Sequence, residues 1–106
     1  MRVAVTGATG NVGTSVLAAL SDEPEVNEII GIARRRPAHV VKKVRWVSAD
    51  VATDDLVPAF AGADVVIHLA WLIQPSRDPR TTWLANVLGS SRVFEAAAGA
   101  RARAVV

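Results

Sequence analysis

Short apolar runs rich in β-branched residues alternate along the chain with segments in which apolar residues recur every three or four positions. The apolar runs predict four strands, at Arg2–Thr6, Glu28–Ala33, Val44–Ser48 and 64–69. The segments of helical period predict helices at 11–20, 56–60 and 81–98, and residues 101–106 look like the approach to a fifth strand. This alternation is typical of parallel βαβ units rather than of hairpins.

The same pattern predicts an apolar face on two of these helices and a start for the third. The apolar face of the first helix consists of Val12, Val16 and Leu20. One apolar stripe of the last helix contains Trp83, Val87 and Phe94. The N-cap and first turn of the middle helix are predicted at Thr53, Asp54 and Asp55.

A glycine-rich loop, residues 6–13, lies between the first strand and the first helix, where a dinucleotide pyrophosphate would be held. Gly7 allows a tight turn, Gly10 lets the backbone approach phosphates, and Gly13 lets helix and strand pack closely. A turn that uses glycines for backbone geometry alone is the alternative. The position of the loop favours the phosphate site, and with it a doubly wound parallel sheet of strand order 3-2-1-4-5 whose fifth strand is incomplete.

Composition limits the kind of protein this can be. The 106 residues, 51% of them hydrophobic and carrying a net charge of +2, fit one globular domain. Cysteine is absent, which excludes disulfides, thiolate metal sites and thiol nucleophiles. The longest nearly apolar run, 65–73, is far shorter than the roughly 20 residues of a membrane span, and no signal-like stretch follows Met1. We expect no membrane partner and a cytoplasmic location.

The spacing Gly-x-x-Gly-x-x-Gly, preceded by Thr6, resembles the short-chain dehydrogenase/reductase superfamily, and specifically its extended branch, the NAD-dependent epimerase/dehydratase family. The resemblance runs over the whole chain. It implies that residues 1–106 are the amino-terminal, Rossmann-like dinucleotide-binding domain of such a protein. The glycine-loop residues that it assigns to the cofactor are Gly7, Thr9, Gly10, Asn11, Val12 and Gly13.

Three further motifs carry the resemblance. Asp50-Val51, after the third strand, looks like the family's adenine contact, in which a carboxylate accepts from the exocyclic amine and the next backbone N–H pairs with the ring. Residues 86–90, Asn-Val-Leu-Gly-Ser, resemble the Asn-Val-x-Gly-Thr of the following helix. Residues 66–70, Val-Ile-His-Leu-Ala, look like the fourth-strand motif. The residues thereby placed beside the nicotinamide ribose are Leu69, Ala70 and Trp71.

His68 lies within this fourth-strand motif, in an apolar run of the sequence. A histidine in such a strand has two interpretations, a packed, hydrogen-bonded side chain or a ligand or base. We favour the packed side chain for His68.

The end of the second strand bears on the choice between NAD and NADP. Domains that prefer NAD usually carry Asp or Glu about 20 residues after the loop, to bond the ribose 2′-hydroxyl. Residues 31–36 read Gly-Ile-Ala-Arg-Arg-Arg, without a carboxylate. Guanidinium groups match a phosphate in charge and geometry, so Arg34 and Arg35 predict NADP, with NAD as the alternative and Arg36 a weaker candidate. A solvated basic turn is the structural alternative, and a nucleic-acid site is disfavoured because no interleaved aromatics accompany the arginines.

The resembled family performs its chemistry with a Ser or Thr after the fifth strand and a Tyr-x-x-x-Lys on the next helix. This sequence has no tyrosine, and its lysines are the adjacent pair Lys42 and Lys43. We therefore expect the NAD(P)-binding portion of an oxidoreductase or nucleotide-sugar epimerase/dehydratase that acts on a small-molecule substrate, inactive by itself. A non-catalytic dinucleotide-binding module or redox sensor is the alternative.

The last predicted helix also bears on assembly, because in the resembled family it contributes to a dimer interface. Its small residues Ala85, Gly89 and Ser90 would permit close approach of a second helix. The larger residues beside them are Leu84, Leu88 and Phe94. An incomplete fifth strand at 104–106 would leave an open edge and an apolar surface. We expect a homodimer or an exchanged-segment assembly, with a frayed monomer as the alternative.

Overall fold

The computed structural model describes residues 1–38, 40–51, 53–70 and 79–106, the side chains of 79–85 excepted. Its parallel strands form one sheet in the order β3-β2-β1-β4-β5. The strands are β1 (Arg2–Thr6), β2 (Glu28–Ala33), β3 (Val44–Ser48), β4 (Val65–His68) and β5 (Ala104–Val105). The helices are α1 (Asn11–Ser21), α2 (Val57–Phe60) and α3 (Pro79–Gly99). The predicted α/β class and strand order are confirmed.

Each face of the sheet supports its own hydrophobic core, because successive residues of a strand point to opposite sides. Ala4 of β1 packs in one core, with Phe60 of α2 and Val93 of α3. Its neighbours Val3 and Val5 pack in the other. With both faces covered, β2 is apolar at nearly every position, as buried parallel strands usually are, whereas β3 at the edge of the sheet is partly exposed. Because all the paired strands are parallel, the loops that follow them lie along one edge of the sheet, the carboxyl edge.

Helix α1 buries a face centred one residue along from the predicted one, while Val16 and Leu20 of the predicted face are partly buried against the same core. Its buried residues are Gly13, Leu17 and Ser21. Val12, predicted on the apolar face, is 63% exposed. A Cβ at Gly13 would lie 2.3 Å from the carbonyl oxygen of Gly7, so the helix packs on the glycine loop through Gly13. This close approach rotates the buried face by one residue.

The start of α2 also differs from the prediction. Its N-cap is Leu56, which offers no side-chain hydrogen bond. The carboxylate of Asp55 does accept the N–H of Val57, at 3.1 Å, from one position before the cap. Asp54 instead accepts the N–H of Asp50 at 2.7 Å, within the turn that follows β3. Only one of the three predicted capping residues therefore acts at the helix start in the described part of the chain.

Helix α3 begins at Pro79, two residues before the predicted start, because proline is compatible with the first helical turn. The predicted stripe is not its buried face, since Val87 and Phe94 are exposed. The buried face contains Asn86, Val93, Ala96 and Ala97. The side chain of Trp83 lies outside the described residues.

Two of the three small residues predicted to admit a second helix, Gly89 and Ser90, contact their own domain, and the side chain of Ala85 lies outside the described residues. A Cβ at Gly89 would meet Cγ2 of Val51 at 3.4 Å, and the hydroxyl of Ser90 hydrogen-bonds His68. The interpretation that these two residues make room for a second helix is therefore wrong. Within the described residues, no helix is long and apolar enough to cross a membrane.

Candidate functional site

The three glycines of the loop after β1 differ in what the fold requires of them. Gly7 adopts a φ of +67°, and a Cβ there would lie 2.7 Å from the backbone carbon of Leu69. Gly13 is equally constrained by its contact with the Gly7 oxygen. Gly10 has an ordinary φ of −71°, and a Cβ there would meet its nearest neighbour at 3.5 Å, a normal contact. Protein packing thus explains Gly7 and Gly13, whereas Gly10 leaves open space at the loop surface.

Gly10 is also the N-cap of α1, and no side chain caps this helix. The helix ladder begins where the N–H of Thr14 donates to the carbonyl of Gly10, at 2.8 Å. The N–H groups of Asn11, Val12 and Gly13 precede that bond and lie at the positive end of the helix dipole. Asn11 and Val12 are exposed. Such an uncapped helix start beside an open glycine is suited to an anion.

Arg34 and Arg35 follow β2 and lie beside this loop. They line an open groove of about 400 Å³ together with Thr9. The N–H of Ala8 donates to the carbonyl of Ile32 at 3.3 Å, which ties the loop to the end of β2. The hydroxyl of Ser48 donates to the carbonyl of Arg34 at 2.9 Å. Both predicted arginines therefore share a groove with the glycine loop, and Arg36 is not among its lining residues.

Asp50 and Val51 begin the turn after β3, on the same edge of the sheet. This turn is fastened to α3 by Arg92, whose Nε donates to the carbonyl of Val51 at 3.0 Å. The Nη2 of Arg92 donates to the carbonyl of Asp54. Arg92 could not be identified from the sequence, since nothing in a lone arginine on a helix indicates which loop it contacts.

The end of β4 lies directly against the glycine loop. The backbone of Leu69 and Ala70 touches the position that a Cβ of Gly7 would occupy. The N–H groups of Leu69 and Ala70 both donate to the hydroxyl oxygen of Thr6, at 3.1 and 3.3 Å. Thr6 thereby joins the end of β1 to the segment after β4. Trp71, the remaining residue predicted here, lies outside the described residues.

His68 is hydrogen-bonded through both ring nitrogens. Its Nδ1 lies 2.7 Å from the Thr6 hydroxyl and its Nε2 lies 3.0 Å from the Ser90 hydroxyl. Because the Thr6 oxygen accepts two N–H groups, its hydrogen donates to Nδ1, which assigns a neutral ring with its proton on Nε2. Burial lowers the pKa of His68 below its ordinary 6.5. The predicted packed, hydrogen-bonded histidine is confirmed.

The lowered pKa predicts a pH dependence of stability. Below pH 6.5 the unfolded chain takes up a proton on His68 more readily than the folded chain, so the free energy of unfolding falls as the pH decreases. The slope from this group cannot exceed about 1.4 kcal/mol per pH unit. We expect His68→Gln to flatten the decline between pH 7 and pH 5, measured by chemical denaturation. The chain's other histidine supplies the control, because a His39→Gln variant that flattens the decline equally contradicts the assignment.

A 3-2-1-4-5 parallel sheet with a glycine turn and a helix start at the end of β1 defines an α/β domain of the dinucleotide-binding class. The sequence model of the NAD dependent epimerase/dehydratase family matches residues 3–106. The chain belongs to that family.

Known proteins similar to the chain include enzymes and solved complexes. The L-arabinose 1-dehydrogenase (NAD(P)(+)) of Haloferax volcanii is 36% identical over 99 residues, covering 93% of the chain and 37% of that enzyme. MoeE5 in complex with UDP-glucuronic acid and NAD superposes with a TM-score of 0.84 at 29% identity, covering 99% of the chain and 35% of MoeE5. An uncharacterized protein of Mycobacterium tuberculosis is 34% identical over 110 residues, covering 97% of the chain but 13% of that protein. The chain thus spans little more than a third of these relatives at most.

Proposed function

We propose that residues 1–106 form the dinucleotide-binding domain of an NAD(P)-dependent oxidoreductase or nucleotide-sugar epimerase/dehydratase. The observation that carries the proposal is the open space at Gly10, beside the uncapped start of α1. This space fits a diphosphate approaching the backbone, with the N–H groups of Asn11 and Val12 as donors. The bound dinucleotide would supply hydride transfer at its nicotinamide ring.

The loops after β3 and β4, on the same edge, would bind the two ends of the dinucleotide and so determine its orientation across the sheet. Asp50 and Val51 after β3 would contact the adenine. Leu69 and Ala70 after β4 would lie beside the nicotinamide ribose. This arrangement runs across the point where the strand order reverses, beside β1, as expected for an open α/β sheet.

Within this site we assign NADP as the preferred cofactor, with NAD as the alternative. Arg34 and Arg35 are exposed, and they line the groove with Thr9. A 2′-phosphate in this groove would meet two guanidinium groups of opposite charge, whereas a 2′-hydroxyl would meet no carboxylate among the described lining residues. The dehydrogenase of Haloferax volcanii carries both cofactors in its name, and MoeE5 was solved with NAD.

Replacing Arg34 and Arg35 by Ala together is expected to weaken NADP binding about 100-fold and NAD binding less than about 3-fold, since only NADP loses charge-assisted hydrogen bonds. Isothermal titration calorimetry with both cofactors measures the difference. The matched control replaces Arg101 and Arg103 by Ala, which removes the same charge from two exposed residues that precede β5, at the opposite edge of the sheet. Equal losses for NAD and NADP would remove the argument for these arginines. No binding of either cofactor by the unsubstituted chain would overturn the proposed function itself.

We also propose that the whole protein carries out an NAD(P)-dependent reaction on a small-molecule substrate. The chain has no tyrosine, so within the proposed function it holds the dinucleotide and supplies no tyrosine for proton transfer. A non-catalytic binding module remains the second candidate. Turnover by the purified chain with NADP would contradict the proposed division of roles.

We also propose that the chain forms a homodimer through the exposed face of α3. Val87, Leu88 and Phe94 are 41%, 54% and 55% exposed on the solvent side of α3, and Val106 is exposed at the edge beyond β5. Burying these apolar groups against a second copy would remove them from water. Light scattering over a dilution series should give a dimer mass that falls on dilution, and Phe94→Glu should give a monomer. A monomeric mass throughout the series contradicts the proposal.

A further inference from the structure

Side-chain hydrogen bonds from α3 fix the turn that follows β3. Arg92 spans it, donating from Nε to the carbonyl of Val51 and from Nη2 to the carbonyl of Asp54. One helical turn earlier, Gly89 places the α3 backbone beside Val51, where an added Cβ would make an ordinary contact with Cγ2 at 3.4 Å. The planar fork of an arginine can satisfy two carbonyls at once in a fixed geometry, which a lysine cannot do.

Hydrogen bonds within the turn determine what it presents outward. The carbonyl of Asp50 accepts the N–H groups of Thr53 and Asp54 at 3.2 and 2.9 Å, so it points into the turn. In a trans peptide the following N–H points the opposite way. The N–H of Val51 therefore points away from the interior of the turn. Arg92 holds the next carbonyl, that of Val51, and so fixes the orientation of this stretch of backbone.

We propose that Arg92 is a positioning residue for adenine recognition. By holding the carbonyls of Val51 and Asp54, it keeps Asp50 and the Val51 N–H in the arrangement that reads the edge of the adenine ring. This inference rests on the proposed function, because it requires a dinucleotide in the site. Arg92 itself lies behind the turn and touches the backbone, so it acts through Asp50 and Val51.

A role of Arg92 in adenine recognition can be distinguished from a role in fold stability alone by replacing the adenine of the dinucleotide with hypoxanthine. Hypoxanthine has a carbonyl oxygen in place of the exocyclic amine of adenine, and its N1 carries a hydrogen. A site that accepts from the amine and donates to N1 loses both interactions with this base. A residue that only stabilises the fold leaves the preference for adenine over hypoxanthine unchanged.

The experiment titrates the chain by calorimetry with whichever of NAD and NADP binds more tightly, and with the matching hypoxanthine dinucleotide. We expect the unsubstituted chain to prefer the adenine form by about 10-fold or more, since hydrogen-bonding sites reject partners that lack their groups. Arg92→Met should reduce this preference to about 3-fold or less. Arg101→Met, on an exposed residue beyond α3, removes the same charge and should leave the preference unchanged.

Arg92→Lys keeps a cation but cannot span both carbonyls, so it should give an intermediate preference. It decides the outcome if circular dichroism shows that the Met variant does not fold. An unchanged preference in a folded Arg92 variant overturns the role of Arg92 and leaves the proposed function intact. A lack of binding by the unsubstituted chain, or binding without a preference for adenine, overturns the role together with the part of the proposed function on which it rests.

Discussion

Gly10→Val is expected to reduce the affinity of the chain for NAD or NADP at least about 100-fold while the chain remains folded. The space beside Gly10 is open, since a Cβ there meets its nearest protein atom at 3.5 Å, and its φ of −71° suits any residue. The loop therefore accepts a Cβ at this position, and the branched side chain of valine would extend into the place where the diphosphate would approach the backbone. A 100-fold loss corresponds to about 2.7 kcal/mol of binding free energy.

The measurement is calorimetric titration, with circular dichroism and thermal unfolding recorded on the same material. Gly10→Ala provides the graded control, because one methyl group should weaken binding less than the valine does. A Gly10→Val variant that is folded and binds either cofactor with unchanged affinity would show that the phosphates do not approach this position.

Gly13→Ala is expected to lower the free energy of unfolding by about 3 kcal/mol. The added methyl carbon would lie 2.3 Å from the carbonyl oxygen of Gly7 and 2.8 Å from the backbone carbon of Ala8. Both neighbours are backbone atoms, so α1 must move away from the loop, and overpacking of this kind costs about 1–3 kcal/mol or more. The loss runs against intrinsic propensity, because alanine in a helix is ordinarily favoured over glycine by about 1 kcal/mol.

Chemical denaturation measures this change, and Gly89→Ala is the matched control. Both substitutions replace glycine by alanine within a helix, so their effects on the unfolded chain are alike. At Gly89 the added carbon meets Cγ2 of Val51 at 3.4 Å, an ordinary contact with a side chain. We expect Gly89→Ala to change stability by no more than about 1 kcal/mol. Equal effects of the two substitutions would mean that the loop and α1 yield to the methyl group at little cost.

The strands could be predicted from the sequence because each depends on local pattern, and their order because the glycine loop follows the first strand of a β–α alternation. A run such as Glu28–Ala33 is apolar at nearly every position, which requires cover on both faces and therefore a parallel sheet. The orientation of α1 could not be predicted in the same way. The nearly even spacing of its valines and leucines leaves the choice of face to Gly13, whose contact with Gly7 appears only when the loop has folded.

The candidate site likewise contains residues that could be predicted from the sequence and residues that could not. Its glycines and arginines fall directly after strands, so the sequence predicts that they meet at one edge of the sheet. The contacts of Arg92 with the turn after β3, and of Ser90 with His68, join residues far apart in sequence. Neither pair has a spacing or composition that indicates its partner. Residues that support a site from a neighbouring helix therefore become visible only in the folded chain.

The hydroxyl of Thr6 has a consequence for the motions of the native chain. It receives the N–H groups of Leu69 and Ala70 and donates to His68, which in turn contacts Ser90 on α3. A fluctuation that frees one of these amides removes a bond that orients the hydroxyl for the others. In hydrogen–deuterium exchange, the amides of Leu69 and Ala70 should therefore exchange together as one cooperative unit. Thr6→Val should accelerate exchange of Ala70 more than that of Leu69, because the Leu69 N–H also donates to the backbone carbonyl of Thr6 at 3.1 Å. Thr6→Ser should leave both slow.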